Sequence, residues 1–199
     1  MNGFILASQS PRRKQLLAWA DIEFDVLVSE AEEDFPAEMD VQEVPVYIAQ
    51  KKAVAVQEKI KAEFPIHQDK WIIAADTIVV LENEIIGKPI DRADAITILQ
   101  KLSGKTHRVI TGVYLVHNSE SKFFSETTLV HFHPLTLSQI EYYVDQYKPY
   151  DKAGAYGIQD WIGVVGIQGI EGDFYNVMGL PVSKLLSYLP TSSTKTTTK

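Results

Sequence analysis

Apolar and polar positions along this chain alternate between two periods, one near two residues and one near 3.6. The short apolar run Phe4-Ile5-Leu6-Ala7 is followed by the polar stretch Ser8-Gln9-Ser10, and after Pro11 the apolar residues Leu16, Leu17 and Ala20 recur at helical spacing. This predicts a strand, a tight loop and a helix beginning at Pro11. Ser10 suits the N-cap, and the missing N–H of proline would have been unpaired in the first turn anyway. Glu23 to Val28 alternates around Phe24, Val26 and Val28, which predicts a second strand. From Pro45 the stripe Val46, Ala49, Ala53, Val56 and Ile60 predicts a helix. At about 100° per residue, that helix puts Lys52 on the flank of its apolar stripe and turns Lys51 to solvent.

Trp71 to Leu81 is rich in Ile and Val and reads as a buried strand, broken only by Asp76-Thr77 and followed by a turn at Asn83-Glu84. Ala93 to Leu102 predicts a helix stopped by Gly104. Arg108 to Val116 and Phe123 to Phe132 read as a hairpin around Asn118-Ser119-Glu120-Ser121. Thr136 to Tyr147 reads as a helix, with Thr136 or Ser138 as its cap. Glycines at 163, 166, 169 and 172 punctuate a strand and turn, and Pro181 to Leu189 forms a last helix. Interleaved helices and strands with a hairpin require an α/β fold with a mixed sheet. Residues 1–190 are expected to form a single domain. Thr191 to Lys199, a Ser/Thr/Lys stretch with nothing to bury, is expected to be a disordered tail.

Composition narrows the chemistry. A chain of 199 residues, 45% hydrophobic, can bury one sizeable core. It contains no cysteine, which excludes a disulfide framework, a thiolate metal site and a cysteine nucleophile. No apolar run reaches membrane-spanning length, so a cytoplasmic protein without a membrane partner is expected. The formal net charge of −7 argues against a broad nucleic-acid footprint and leaves any anionic ligand to a local basic cluster.

Arg12 and Arg13 are such a cluster. The helix dipole disfavours cations in a first turn by roughly 0.3–1 kcal/mol each when exposed, whereas free amides and guanidinium forks suit an oxyanion. The segment therefore reads as a phosphate site, two solvated arginines being the alternative. Asp76, set between two apolar runs, needs a cation, a metal or several donors unless the strand stops at Ala75 and exposes it. Glu30, Glu32, Glu33 and Asp34 form an acidic patch that reads as solvated surface unless it shares a cation with Asp76. In that case the hard oxygen ligands favour Mg²⁺ or Mn²⁺. Lys88 lies in the proline-restricted loop Gly87-Lys88-Pro89, and Lys152 in a comparable short loop. The five histidines lack zincin spacing, and neither a Walker loop nor a dinucleotide fingerprint is present. From the residues alone, the chain suits a metal-bound phosphorylated ligand, with the reaction open.

The stretches Ser8-Gln9-Ser10-Pro11-Arg12-Arg13, Lys52-Ala53, Ala75-Asp76-Thr77, Gly87-Lys88-Pro89, Leu102-Ser103-Gly104-Lys105, Thr111-Gly112-Val113 and Asp151 to Gln159, in this order, resemble the Maf family of nucleoside triphosphate pyrophosphatases. The likeness runs from about Phe4 to Leu189. It implies a mixed, strongly curved sheet with flanking helices in two lobes around a cleft, akin to inosine triphosphate pyrophosphatases, and homodimers. It also implies hydrolysis between the α- and β-phosphates with a divalent metal cofactor, Mg²⁺ or Mn²⁺. By resemblance, Asp76 is the proton acceptor, Ser8, Ser10, Arg12, Lys52 and Lys88 bind phosphate, and Glu33 joins Asp76 at the metal. Arg13, Thr77 and Gln159 match the specificity positions of members acting on dTTP and UTP. Relatives acting on 7-methyl-GTP carry an aromatic residue in the first segment and an acidic one at the last. A glutamine amide both donates and accepts, as a pyrimidine imide edge requires. The chain departs from the commoner pattern at Glu32-Glu33 and at Asp160, where a glycine often follows the glutamine. The alternatives are a 7-methyl-GTP enzyme and a non-catalytic nucleotide-binding regulator of cell division.

Overall fold

The structure, a computed structural model, describes residues 3–190. The expected tail, residues 191–199, lies outside them. Seven strands form one mixed sheet: β1 (Phe4–Leu6), β2 (Phe24–Val26), β3 (Trp71–Leu81), β4 (Glu84–Ile86), β5 (Thr106–His117), β6 (Glu120–Phe132) and β7 (Ile167–Glu171). The order is β2-β1-β3-β5-β6-β7, with β4 paired to β3. β1 pairs in parallel with both β2 and β3, while β3–β4 and β6–β7 are antiparallel. The helices are α1 (Pro11–Trp19), α2 (Val44–Glu63), α3 (Arg92–Leu102), α4 (Leu137–Tyr147), α5 (Trp161–Gly166), α6 (Phe174–Met178) and α7 (Val182–Tyr188). No helix among the described residues is long and apolar enough to cross a membrane.

Two compact units divide the chain. Among the described residues, the first holds 3–76, 112–125 and 179–190, and the second holds 77–111 and 126–178. Three divisions fall inside β3, β5 and β6, between Asp76 and Thr77, Thr111 and Gly112, and Ser125 and Glu126, and the fourth lies between Met178 and Gly179.

In the first unit, α2 lays Ala49, Ala53, Val56 and Ile60 against Ile5 and Ala7 of the N-terminal segment, Ile72 and Ala74 of β3, and Tyr114 and Val116 of β5. The buried stripe begins at Val44, Pro45 and Ile48 and leaves Val46 on its flank, and the helix starts at Val44, one residue earlier than Pro45 suggests. Gly112 of β5 is held against the first turn of α2: a Cβ there would lie 2.2 Å from the Val46 nitrogen and 2.3 Å from the Pro45 carbonyl carbon. Only glycine permits that approach.

In the second unit, α3 and α4 pack together, joined at the surface by Arg92, whose guanidinium donates to both oxygens of Asp145 at 2.6 and 2.9 Å. Thr136 and Gln139 form a capping box at the start of α4. His107, Phe132 and Tyr156 meet edge to face, with ring centroids 5.0 to 5.4 Å apart. The periodic pattern missed β4, which begins at Glu84 after the turn, and the short helices α5 and α6 in the glycine-punctuated region. These elements have three to six residues, too few to display a period.

Candidate active site

In the first unit, the loop after β1 and the start of α1 are organised around Ser8. Its Oγ accepts from the Ser10 amide at 3.2 Å and from the Arg13 guanidinium at 3.2 Å. Two acceptances leave its O–H as a donor. Ser10 Oγ caps α1 by accepting from the Arg13 amide at 3.4 Å. Arg13 is buried, and its Nε donates to the Gly179 carbonyl at 2.8 Å. Burial lowers the pKa of this guanidinium, the charge of Asp76 opposes that shift, and Arg12 adds to it. Arg13 nevertheless stays a cation, since guanidinium does not deprotonate in proteins. Arg12, at the preceding position on the helix, is partly exposed.

Lys52 of α2 lies within 2.7 Å of both Asp76 Oδ1 and Glu33 Oε1. The Lys52 and Asp76 side chains are 18% and 13% exposed and Glu33 51%, so the chain of charges runs from a sheltered carboxylate outward to an open one. Lys51 pairs instead with Asp34, which separates the two neighbouring lysines as the helical angle predicts. Within the acidic patch, Glu33 is thus the residue that shares Lys52 with Asp76. Asp76 itself lies inside β3 and does not end it, as the resumption of Ile78-Val79-Val80 suggests.

In the second unit, Thr77 follows Asp76 on β3, and its hydroxyl shares a 2.9 Å hydrogen bond with Thr111. Thr111 donates to the Asn176 carbonyl at 3.0 Å. The Asn176 side-chain amide in turn donates to the Val109 carbonyl and to Thr128 Oγ1, each at 3.0 Å. Lys88 is exposed in the loop after β4. That loop is tied to the Asp151–Gln159 segment by the Gly154 amide, which donates to the Gly87 carbonyl at 3.0 Å. Gly154 adopts φ +70°, and a Cβ there would lie 2.9 Å from Val79. Gln159 is exposed, with its Nε2 3.2 Å from Asp160 Oδ1.

Ser8, Ser10, Arg12, Arg13, Glu33, Lys52 and Asp76 thus lie in one unit, and Thr77, Lys88 and Gln159 in the other. Sequence reasoning missed the Gly179 carbonyl that holds Arg13 and the Tyr143 hydroxyl that reaches Asp160. Both lie far along the chain from the residues they serve, and no local pattern marks them.

The chain matches the family model described as Maf-like protein over residues 3–192. It belongs to that family. Among curated relatives, this Maf-like chain is 48% identical over 186 residues to a dTTP/UTP pyrophosphatase of Porphyromonas gingivalis, covering 93% of this chain and 92% of the relative. It is 50% identical to a dTTP/UTP pyrophosphatase of Cytophaga hutchinsonii, over 93% of this chain and 82% of that one. A solved structure, the Staphylococcus aureus Ham1 protein, aligns with 65% of the Maf-like chain and 71% of its own at 16% identity and a TM-score of 0.41.

Proposed function

We propose that this Maf-like chain is a nucleoside triphosphate pyrophosphatase that hydrolyses dTTP and UTP to the monophosphate and pyrophosphate. The observation that carries the reading is Lys52 held between Asp76 and Glu33, in the unit that also buries Arg13. Its relatives named dTTP/UTP pyrophosphatase, close to half identical over nearly the whole chain, support the substrate class.

A divalent metal fits this donor set. Two carboxylates converge on one ammonium, and among the described residues no group of three acidic, His or Cys side chains forms a protein cage. Mg²⁺ characteristically takes one or two carboxylates and completes its shell with water and phosphate oxygens. Asp76 and Glu33 would hold it, and when bound it supplies charge neutralisation for the triphosphate. Lys52, Arg12 and Lys88 bind phosphate oxygens and offset the charge that grows on departing pyrophosphate. Ser8 and Ser10 order the loop, and Ser8 keeps its hydroxyl proton for a phosphate oxygen. Asp76 orients the attacking water and takes its proton as the water oxygen bonds to the α-phosphorus and the bond to the bridging oxygen breaks. Arg13, Thr77 and Gln159 select the base, Gln159 through an amide that meets the imide edge of uracil or thymine. The working form is a homodimer in the cytoplasm.

The test is pyrophosphate release from a panel of dTTP, UTP, CTP, GTP and 7-methyl-GTP, with and without EDTA. Release from dTTP and UTP that EDTA abolishes is the expected result. Stoichiometric binding without product would replace this reading with that of a nucleotide-binding regulator, and preference for 7-methyl-GTP would replace the pyrimidine assignment.

A further inference from the structure

Asp160 stands at the N-cap of α5, where an aspartate ordinarily turns its carboxylate onto the first amides of its own helix. Here it makes no such bond. Its Oδ2 accepts from the Tyr143 hydroxyl at 2.8 Å, and its Oδ1 lies 3.2 Å from Gln159 Nε2. Tyr143 is completely buried in α4, and its oxygen also accepts from the Gly157 amide at 3.0 Å. Burial foremost, then the bond to Asp160, raises the Tyr143 pKa, so the phenol keeps the proton it donates. Gly157 leaves room for the arrangement: a Cβ there would lie 2.6 Å from Asp160 Oδ2 and 2.9 Å from Gln159 Nε2. The carboxylate is thus anchored from the core side and faces the exposed glutamine with its other oxygen.

An ionised carboxylate only accepts hydrogen bonds, so it discriminates between the two ends of an amide. With its NH₂ end drawn to Asp160, Gln159 cannot present that end in place of its Oε1. One N–H is spent on Asp160; Oε1 and the second N–H remain, in a fixed order. Uracil and thymine carry a donor at N3 and acceptors on either side, whereas cytosine carries an acceptor at N3. With Oε1 opposite N3, a fixed amide accepts from uracil and opposes cytosine lone pair to lone pair. A freely rotating amide would serve both.

We propose that Asp160, held by Tyr143, is a positioning residue that fixes the orientation of the Gln159 amide and so sets the preference of this enzyme for uracil and thymine over cytosine nucleotides. This rests on the role assigned above to Gln159 in reading the base.

The experiment measures kcat/KM for UTP and CTP in the wild type and in the Asp160→Ala, Asp160→Asn and Gln159→Ala variants, each checked for folding by thermal melt. Asp160→Asn is nearly isosteric but has a single acceptor oxygen for two donors, which keeps the test usable if the alanine variant fails to fold. Both Asp160 variants are expected to lower the UTP-to-CTP ratio by about tenfold, because the flipped amide satisfies cytosine N3. A merely structural role would lower both rates together and leave the ratio in place, and that result overturns the proposal. Should Gln159→Ala collapse the ratio while the Asp160 variants keep it, only the positioning role fails. Should Gln159→Ala also keep it, base reading by Gln159 fails as well.

Discussion

Lys52 carries one charge and has two acidic partners, and this imbalance shapes the predictions at the scale of single residues. Asp76→Asn removes the carboxylate proposed to take the water proton while keeping the shape of the side chain. It is expected to reduce kcat by at least about 10³-fold with nucleotide binding and thermal stability retained. Rapid-quench turnover and calorimetric nucleotide binding check this, and near-normal hydrolysis would end the assignment of Asp76. The two arginines should also separate. Arg12→Ala is expected to lower kcat/KM by about 10- to 100-fold equally across nucleotides, as loss of a phosphate contact does. Arg13→Ala strips Ser8 and the Gly179 carbonyl of their partner. It should change the ranking of bases and lower the melting temperature, since a buried hydrogen-bonded group is lost. Equal losses across all nucleotides from both changes would contradict the division. The sequence placed Arg12 and Arg13 at a helix start but could not tell which was buried. The acceptor that decides it, Gly179, lies 166 positions away.

At the scale of elements, the close approach of β5 to α2 is the least forgiving contact. Gly112→Ala places a methyl carbon 2.2 to 2.6 Å from backbone atoms of Pro45 and Val46, far inside van der Waals contact distance, where no side chain can rotate away. A cost of about 3 kcal/mol or more is expected, read as a fall in the denaturation midpoint. An unchanged midpoint would mean that α2 shifts freely, and Lys52 with it. The cap of α1 is milder: Ser10→Ala should cost about 1 kcal/mol, or about 2–4 °C in Tm for a chain of this size. The long elements were legible because each shows several turns or alternations of its period. Strong local signals, Ser10-Pro11 before α1 and Thr136 before α4, also mark where those helices begin, and the structure adds Gln139 to the second cap. β4, α5 and α6 were not legible because β4 begins where Asn83-Glu84 reads as a turn, and the glycines around α5 and α6 interrupt any period, so tertiary packing decides those short runs.

For the molecule as a whole, the pH dependence of stability has an identifiable contributor. His107 is buried against Phe132 and Tyr156, and burial lowers its pKa from 6.5 to about 4, the nearby charge of His131 adding a little. The native state therefore binds fewer protons than the unfolded state between these two values. The stabilisation is complete above pH 6.5 and is lost as pH falls through that window, by about 1.4 kcal/mol per pH unit. Denaturant melts between pH 7 and pH 4 should show a shallower decline in His107→Gln than in the wild type, and parallel declines would remove His107 from the account. What the sequence determined by itself is whatever depends on neighbours within a few turns. That includes an α/β alternation, the capped start of α1, the opposed directions of Lys51 and Lys52, and an acidic residue inside β3 that needed a partner. The order of the motifs added the family. Tertiary structure decided which residue answers each need. It selected Glu33 from an acidic patch, placed Gly179 beneath Arg13, and turned Asp160 away from its own helix toward Tyr143 and Gln159. Those choices rest on burial and on donor and acceptor geometry between segments far apart in the chain, and a one-dimensional pattern carries no distance between them.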